Sequence, residues 1–158
     1  MAHDGTRSDP QTLAEAPTSL PGEAPALSAA QRLVACGIRV TPQRLQVASL
    51  LLSAPQHLSA EQITETLQRA GHAVSKATVY NTLNLFAAHG LIRQVNVDGQ
   101  CAWFDSNVAP HYHFHDEMTG ALMDVEPRDV QFSRLPEPPS GMEVAGIDVV
   151  IRLRRRSG

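Results

Sequence analysis

Residues 75–86 read Ser75-Lys76-Ala77-Thr78-Val79-Tyr80-Asn81-Thr82-Leu83-Asn84-Leu85-Phe86. After a break at His89-Gly90 the chain continues Leu91-Ile92-Arg93-Gln94-Val95, Asp98-Gly99 and Cys101-Ala102-Trp103-Phe104. Val79, Leu83 and Phe86 recur at helical spacing, so the first stretch reads as an amphipathic helix. The runs on either side of Asp98-Gly99 read as strands joined by a tight turn, because Asp-Gly suits the positive-φ geometry of a hairpin. Working outward, Ser28, Thr41-Pro42 and Ser59 each stand where an N-cap opens a helix, and Gly37, Ala54-Pro55 and Gly71 close those runs. Helices followed by a β-hairpin describe a winged helix, expected over residues 28–105. Residues 1–27, with Pro10, Pro17, Pro21 and Pro25 and no apolar period, read as a disordered tail.

Past Pro110 the period changes to two. His111-Tyr112-His113-Phe114-His115 reads as a strand, a Met118-Thr119-Gly120 turn follows, and Ala121–Val125 reads as its neighbour. Ile147–Leu153 is β-branched and reads as a further strand. Pro127-Arg128-Asp129 could open a helix to Leu135, with Pro136, Pro138 and Pro139 forcing irregular backbone beyond it. Residues 106–158 are therefore expected to form a small α/β unit, which makes the chain α+β as a whole.

The formal charge of −3 is unevenly distributed. Residues 29–93 carry six Lys/Arg against two acids, residues 94–151 carry two Arg against ten acids, and Arg152, Arg154, Arg155 and Arg156 follow. A basic first half and an acidic, histidine-bearing second half suggest a polyanion-binding module joined to a cation-binding one. Solvated charge alone would give the same pattern. No apolar run approaches a membrane span, and the N-terminus lacks the marks of a signal peptide, so the protein is expected in the cytoplasm. Cys36 and Cys101 lie far apart with no CxxC pairing and read as thiols.

Two groups of residues carry chemistry. On one strand, His111, His113 and His115 would share a face, with Tyr112 and Phe114 on the other, and three imidazoles at that spacing suit a metal ion or haem. An exposed, tolerant loop is the bland alternative. On the helix from Ser75, the residues Ser75, Lys76, Thr78, Tyr80 and Asn81 could enter a major groove: Asn81 can pair with adenine, Tyr80 offers a hydroxyl and a ring, and Lys76 can meet phosphate. A solvated helix face is the alternative there.

With these pieces in place, the stretch from about Arg32 to Arg155 resembles the ferric uptake regulator superfamily of metal-dependent repressors. The motifs are Gly37-Ile38-Arg39-Val40-Thr41-Pro42-Gln43-Arg44, His57-Leu58-Ser59-Ala60-Glu61, Ala77-Thr78-Val79-Tyr80-Asn81-Thr82-Leu83 and His111–His115. Within it the chain looks most like the iron response regulator (Irr) branch, through Tyr80-Asn81-Thr82-Leu83-Asn84 and Pro138-Pro139-Ser140-Gly141-Met142-Glu143; the general branch usually has Arg at the place of Asn81. The resemblance implies a homodimer in which winged helices read a palindromic, AT-rich operator in double-stranded DNA while the C-terminal domains pair. It implies that Arg39 reaches the minor groove and Tyr80 touches bases, and it includes Arg44 in the DNA-binding set.

The resemblance also sorts the metal sites. A structural zinc site would need CxxC thiolates after the histidines, where Asp116-Glu117-Met118-Thr119 stands instead, so that site is absent. An inter-domain site of the family finds all its matches in His57, Asp105, His111, His113 and Asp124, a donor set suited to Fe, Mn or Zn. A third site is lost, because Pro110 and Tyr112 replace its ligands. The Irr branch implies haem at His111, His113 and His115, while a Cys-Pro haem motif is missing because Gly37 follows Cys36.

The expected function is a non-enzymatic repressor of iron and haem genes, responding to iron, haem or manganese. A manganese- or zinc-responsive repressor is the alternative within the superfamily. A metallohydrolase using the same histidines and a metal-storage module are alternatives from other classes; the hydrolase has no acid or base of an enzyme motif and leaves the helical half without a role, and storage predicts metal binding without salt-sensitive DNA affinity.

Overall fold

The computed structural model describes residues 27–97, 99 and 101–157. Among the described residues four helices come first: α1 (Ala29–Ala35), α2 (Pro42–Leu51), α3 (Ala60–Arg69) and α4 (Lys76–Ala88). Each starts where the sequence puts a hydroxyl cap. The side chains of Ser28, Thr41, Ser59 and Ser75 accept from the backbone N–H three residues on, and Gln31 and Gln62 answer from their own side chains to complete capping boxes on α1 and α3. Gly37, Gly71 and Gly90 follow helix ends with φ of 72°, 87° and 72°, a conformation that strains other residues.

Leu33, Val47, Leu51, Ile63, Val79, Leu83, Phe86 and Phe104 are fully buried in a single core. The stripe of α4 read from the sequence, Val79, Leu83 and Phe86, faces that core. Among the described residues two three-stranded sheets follow. The first has the order β1-β3-β2, from β1 (His57–Ser59), β2 (Arg93–Asn96) and β3 (Ala102–Asp105), all antiparallel. The second has the order β5-β4-β6, from β4 (Tyr112–Asp116), β5 (Leu122–Val125) and β6 (Val150–Leu153), with β5 antiparallel and β6 parallel to β4.

Three expectations meet a different outcome. Strand β1 is additional, since the sequence pattern put His57 merely ahead of a helix. The helix from Pro127 to Leu135 is a single 3-10 turn, Pro127–Asp129, with Val130 already extended at φ −121° and ψ 121°. Such a helix would be short and would end against Pro136, and all its residues but the half-buried Val130 are exposed in this chain, so no packed face stabilises it. Among the described residues, the second half is therefore a sheet without an α-helix. The strand expected from Ile147 begins at Val150. The disordered tail falls on residues 1–27, of which 1–26 lie outside the described residues, as does Asp98 of the tight turn; its partner Gly99 has φ 73°. Among the described residues no helix is long and apolar enough to cross a membrane.

Candidate functional site

The register of the two sheets assembles the centre. β1 pairs with β3 so that His57 lies opposite Asp105, and β4 pairs with β5 so that His113 lies opposite Asp124. Burial along β4 alternates as a period-two strand requires: His111, His113 and His115 are buried, Tyr112 and Phe114 half-buried. Ligand atoms of His57, Asp105, His111, His113 and Asp124 all lie within 4.8 Å of one another. Donors about 2.1 Å from a central ion stand at most about 4.2 Å apart, so the cluster needs only a slight contraction to enclose one.

The geometry inside is crowded. Nε2 of His57, His111 and His113 lies 3.2, 2.8 and 3.2 Å from the same Asp105 Oδ2. The same three nitrogens lie 2.9, 3.4 and 4.0 Å from Asp124 Oδ1. His57 Nε2 is buried between the two carboxylates and shared by them. His111 Nδ1 sits 2.7 Å from the Ala109 carbonyl and so carries a proton toward it, which aims Nε2 at the Asp105 carboxylate 2.8 Å away. Three imidazole nitrogens gathered on one carboxylate oxygen call for positive charge among them, carried by protons or by a cation in their place. The donor set and its crowding therefore fit a divalent cation.

The ionisable groups respond accordingly. Burial works against the charged form of His57, but hydrogen bonds and charge from Asp105 and Asp124 outweigh it and raise its pKa above 6.5. Burial likewise works against an ionised Asp105; hydrogen bonds from His113, His57 and the Asn107 amide override it and hold this carboxyl well below the usual carboxylate range.

Asn107 is a supporting residue that the sequence pattern did not single out. Its backbone N–H donates to Asp105 Oδ1 at 2.7 Å, and its side-chain amide donates to Asp124 Oδ2 at 3.3 Å, so it orients both carboxylates. Ser106 accepts from the Gln56 N–H at 3.1 Å and donates to the Ala54 carbonyl at 3.1 Å, which fixes the loop leading to His57. The spacing Asp105-Ser106-Asn107 is that of an Asx turn, a signal legible after the fact. His115 does not join the cluster, and its Nδ1 is buried without a partner.

The second set of expected residues lies on and beside α4. Arg39, Ser75, Lys76 and Asn81 are exposed, while Arg44, Thr78 and Tyr80 are half-buried. Arg44 donates to the Arg39 carbonyl at 2.9 Å, which braces the loop that carries Arg39. Ser75 is occupied as the cap of α4, its oxygen accepting from the Thr78 N–H and lying 2.9 Å from the Thr78 hydroxyl. Thr41, Gln43, Arg44, Thr78, Asn81 and Leu85 line a shallow cavity of about 250 Å³ between α2 and α4.

A sequence model of the ferric uptake regulator family matches residues 35–149. The chain belongs to the ferric uptake regulator family. One family member, the peroxide-responsive repressor PerR of Staphylococcus aureus strain Mu50, is 31% identical over 109 residues, 68% of this chain and 74% of that one. The ferric uptake regulator of Pseudomonas aeruginosa, solved with manganese, superposes with a TM-score of 0.63 at 27% identity, over 83% of this chain and all of that one. That of Vibrio cholerae gives 0.61 at 22% identity, over 80% and 98%, and speaks to the fold alone. Ferric uptake regulator family proteins are metal-responsive transcriptional regulators, not enzymes; they bind DNA and form dimers, with an N-terminal DNA-binding domain and a C-terminal dimerisation domain. Membership removes the hydrolase and storage alternatives.

Proposed function

We propose that this protein is an iron-response-regulator-like repressor of iron and haem genes, a cytoplasmic homodimer whose winged helices, residues 28–105, read a palindromic, AT-rich operator. The observation that carries the reading is the cluster of His57, Asp105, His111, His113 and Asp124, drawn from both sheets. These five residues would hold Fe²⁺, Mn²⁺ or Zn²⁺, and such an ion would take the place of the protons shared between these imidazoles and carboxylates. His57 and Asp105 belong to the sheet packed on the helices and His113 and Asp124 to the second sheet, so ligation ties residues 106–158 to the DNA-reading half and fixes their relative angle.

Arg39, Arg44, Ser75, Lys76, Thr78, Tyr80 and Asn81 form the DNA-facing set. Arg39 reaches the minor groove, Tyr80 and Asn81 read bases, and Arg44 and Ser75 act by holding the Arg39 loop and the start of α4. Pairing through residues 106–158 is supported by Phe132, Leu135, Met142 and Val144, which stay 44, 46, 67 and 55% exposed in the single chain although the Phe132 ring meets Tyr112 edge-on. Haem is assigned to His111, His113 and His115; His115, with its buried unpartnered nitrogen, is the residue of that group left available when metal occupies the others.

Electrophoretic shifts on a promoter fragment of an iron or haem gene, with metal-free, manganese-loaded and haem-loaded protein, test the proposal. Binding is expected to be tightest with manganese and weakened by haem. Equal affinity in all three states would sink it. A second reading, a manganese-responsive repressor, is favoured by the 27% identity to the regulator solved with manganese. Retention of the manganese response without any haem response would select it.

A further inference from the structure

Between residues 29 and 93, where basic side chains prevail, Glu61 and Glu65 are the two acids. Glu61 is the second residue of α3, and it reaches across to α4. Its Oε1 lies 2.7 Å from Lys76 Nζ, and the Tyr80 hydroxyl points to that same oxygen at 3.5 Å. Lys76 Nζ also stands 5.9 Å from the centre of the Tyr80 ring. Three side chains on two helices thus form one closed group, and two of them belong to the DNA-facing set.

Stability does not account for this arrangement. Glu61 and Lys76 are 44 and 58% exposed, and a pair so open to water contributes little to folding. An acid on a surface meant for phosphates also repels the ligand, which sets a cost that some gain must offset. The gain visible here is order. Tyr80 and Lys76 are long side chains whose freedom would be lost on meeting DNA, and Glu61 holds them in one arrangement beforehand. Lys76, expected from the sequence to pair with phosphate, is already paired. The bond from Lys76 keeps the Glu61 carboxyl below its ordinary pKa, so it is ionised near neutrality.

We propose that Glu61 is a positioning residue for DNA reading: it fixes Tyr80 for base contact and withholds the charge of Lys76 from the phosphate backbone, raising discrimination at the expense of non-specific affinity. This rests on α4 being the DNA-reading helix.

The test uses the full chain loaded with manganese. Affinity is measured across a salt series for a duplex that the wild-type protein enriches from a randomised pool, and for a random-sequence duplex. In Glu61→Gln, one lysine per protomer and so two per dimer are released to phosphate, and log affinity against log salt should steepen by about 2 for both duplexes. Loss of a fixed base contact should lower the ratio of specific to random binding by about five- to tenfold. Adding Lys76→Gln should abolish the change in slope. Glu61→Asp, which keeps the charge but shortens the reach, should lower the ratio with a smaller change in slope, and circular dichroism checks that each variant folds. An unchanged ratio in both Glu61 variants, beside a discriminating wild type, overturns the proposal and leaves α4 as the reader. If the wild-type protein enriches no sequence, the underlying reading fails and this inference falls with it.

Discussion

Asp105 is fully buried, and one of its oxygens faces three imidazole nitrogens. Two opposite pH dependences follow. In the metal-free protein the raised pKa of His57 means that the folded chain holds a proton the unfolded chain releases near 6.5; the resulting stability is present below that value and lost as pH rises through the raised one. Metal must displace that proton, so manganese affinity should move the other way, falling as pH drops through the same range while Asp105 stays ionised. Thermal melts of the metal-free protein and manganese titrations between about pH 6 and 8 should therefore show slopes of opposite sign. Parallel slopes would show that His57 is not a ligand. The spacing of two singles out His111, His113 and His115 alike, but separating His115 from the others takes the resemblance and the register, because a strand period specifies a face and not a neighbour.

Helix starts were the most legible elements, because a cap is a local event: Ser28, Thr41, Ser59 and Ser75 each need only the amide three residues away. β1 was illegible for the converse reason. It spans three residues, too few for any period, and exists because β3, more than forty positions later, pairs with it. The 3-10 turn at Pro127 fails as a helix through lack of a partner surface, which no local pattern records. Ser59 belongs to both worlds, ending β1 opposite Trp103 and capping α3. Ser59→Ala should cost about 1 kcal/mol of folding stability in a denaturant melt. It should also weaken manganese binding, because β1 carries His57; a stability loss with unchanged metal affinity would mean that strand and cap act independently.

At the scale of the molecule, the division into a basic, helical half and an acidic, histidine-bearing half was readable from charge alone, but not how the halves meet. The five-residue cluster spans that junction, so metal should stabilise the whole chain by mass action. Manganese at a hundred times its Kd should add about 2.7 kcal/mol, seen as a rise in Tm that a chelator reverses and that His113→Ala abolishes. A rise undiminished in His113→Ala would place the ion elsewhere.

The parallel pairing of β6 has a consequence for the order of assembly. Val150 meets His113 across 37 positions, whereas Asp124 meets it across 11, and the longer closure costs roughly 1 kcal/mol more in chain entropy. The β4–β5 hairpin should form early, with β6 docking afterwards against an existing edge. His113 then stands beside Asp124 while the far edge of its strand is still open, so closing that edge is the last step in building the second sheet.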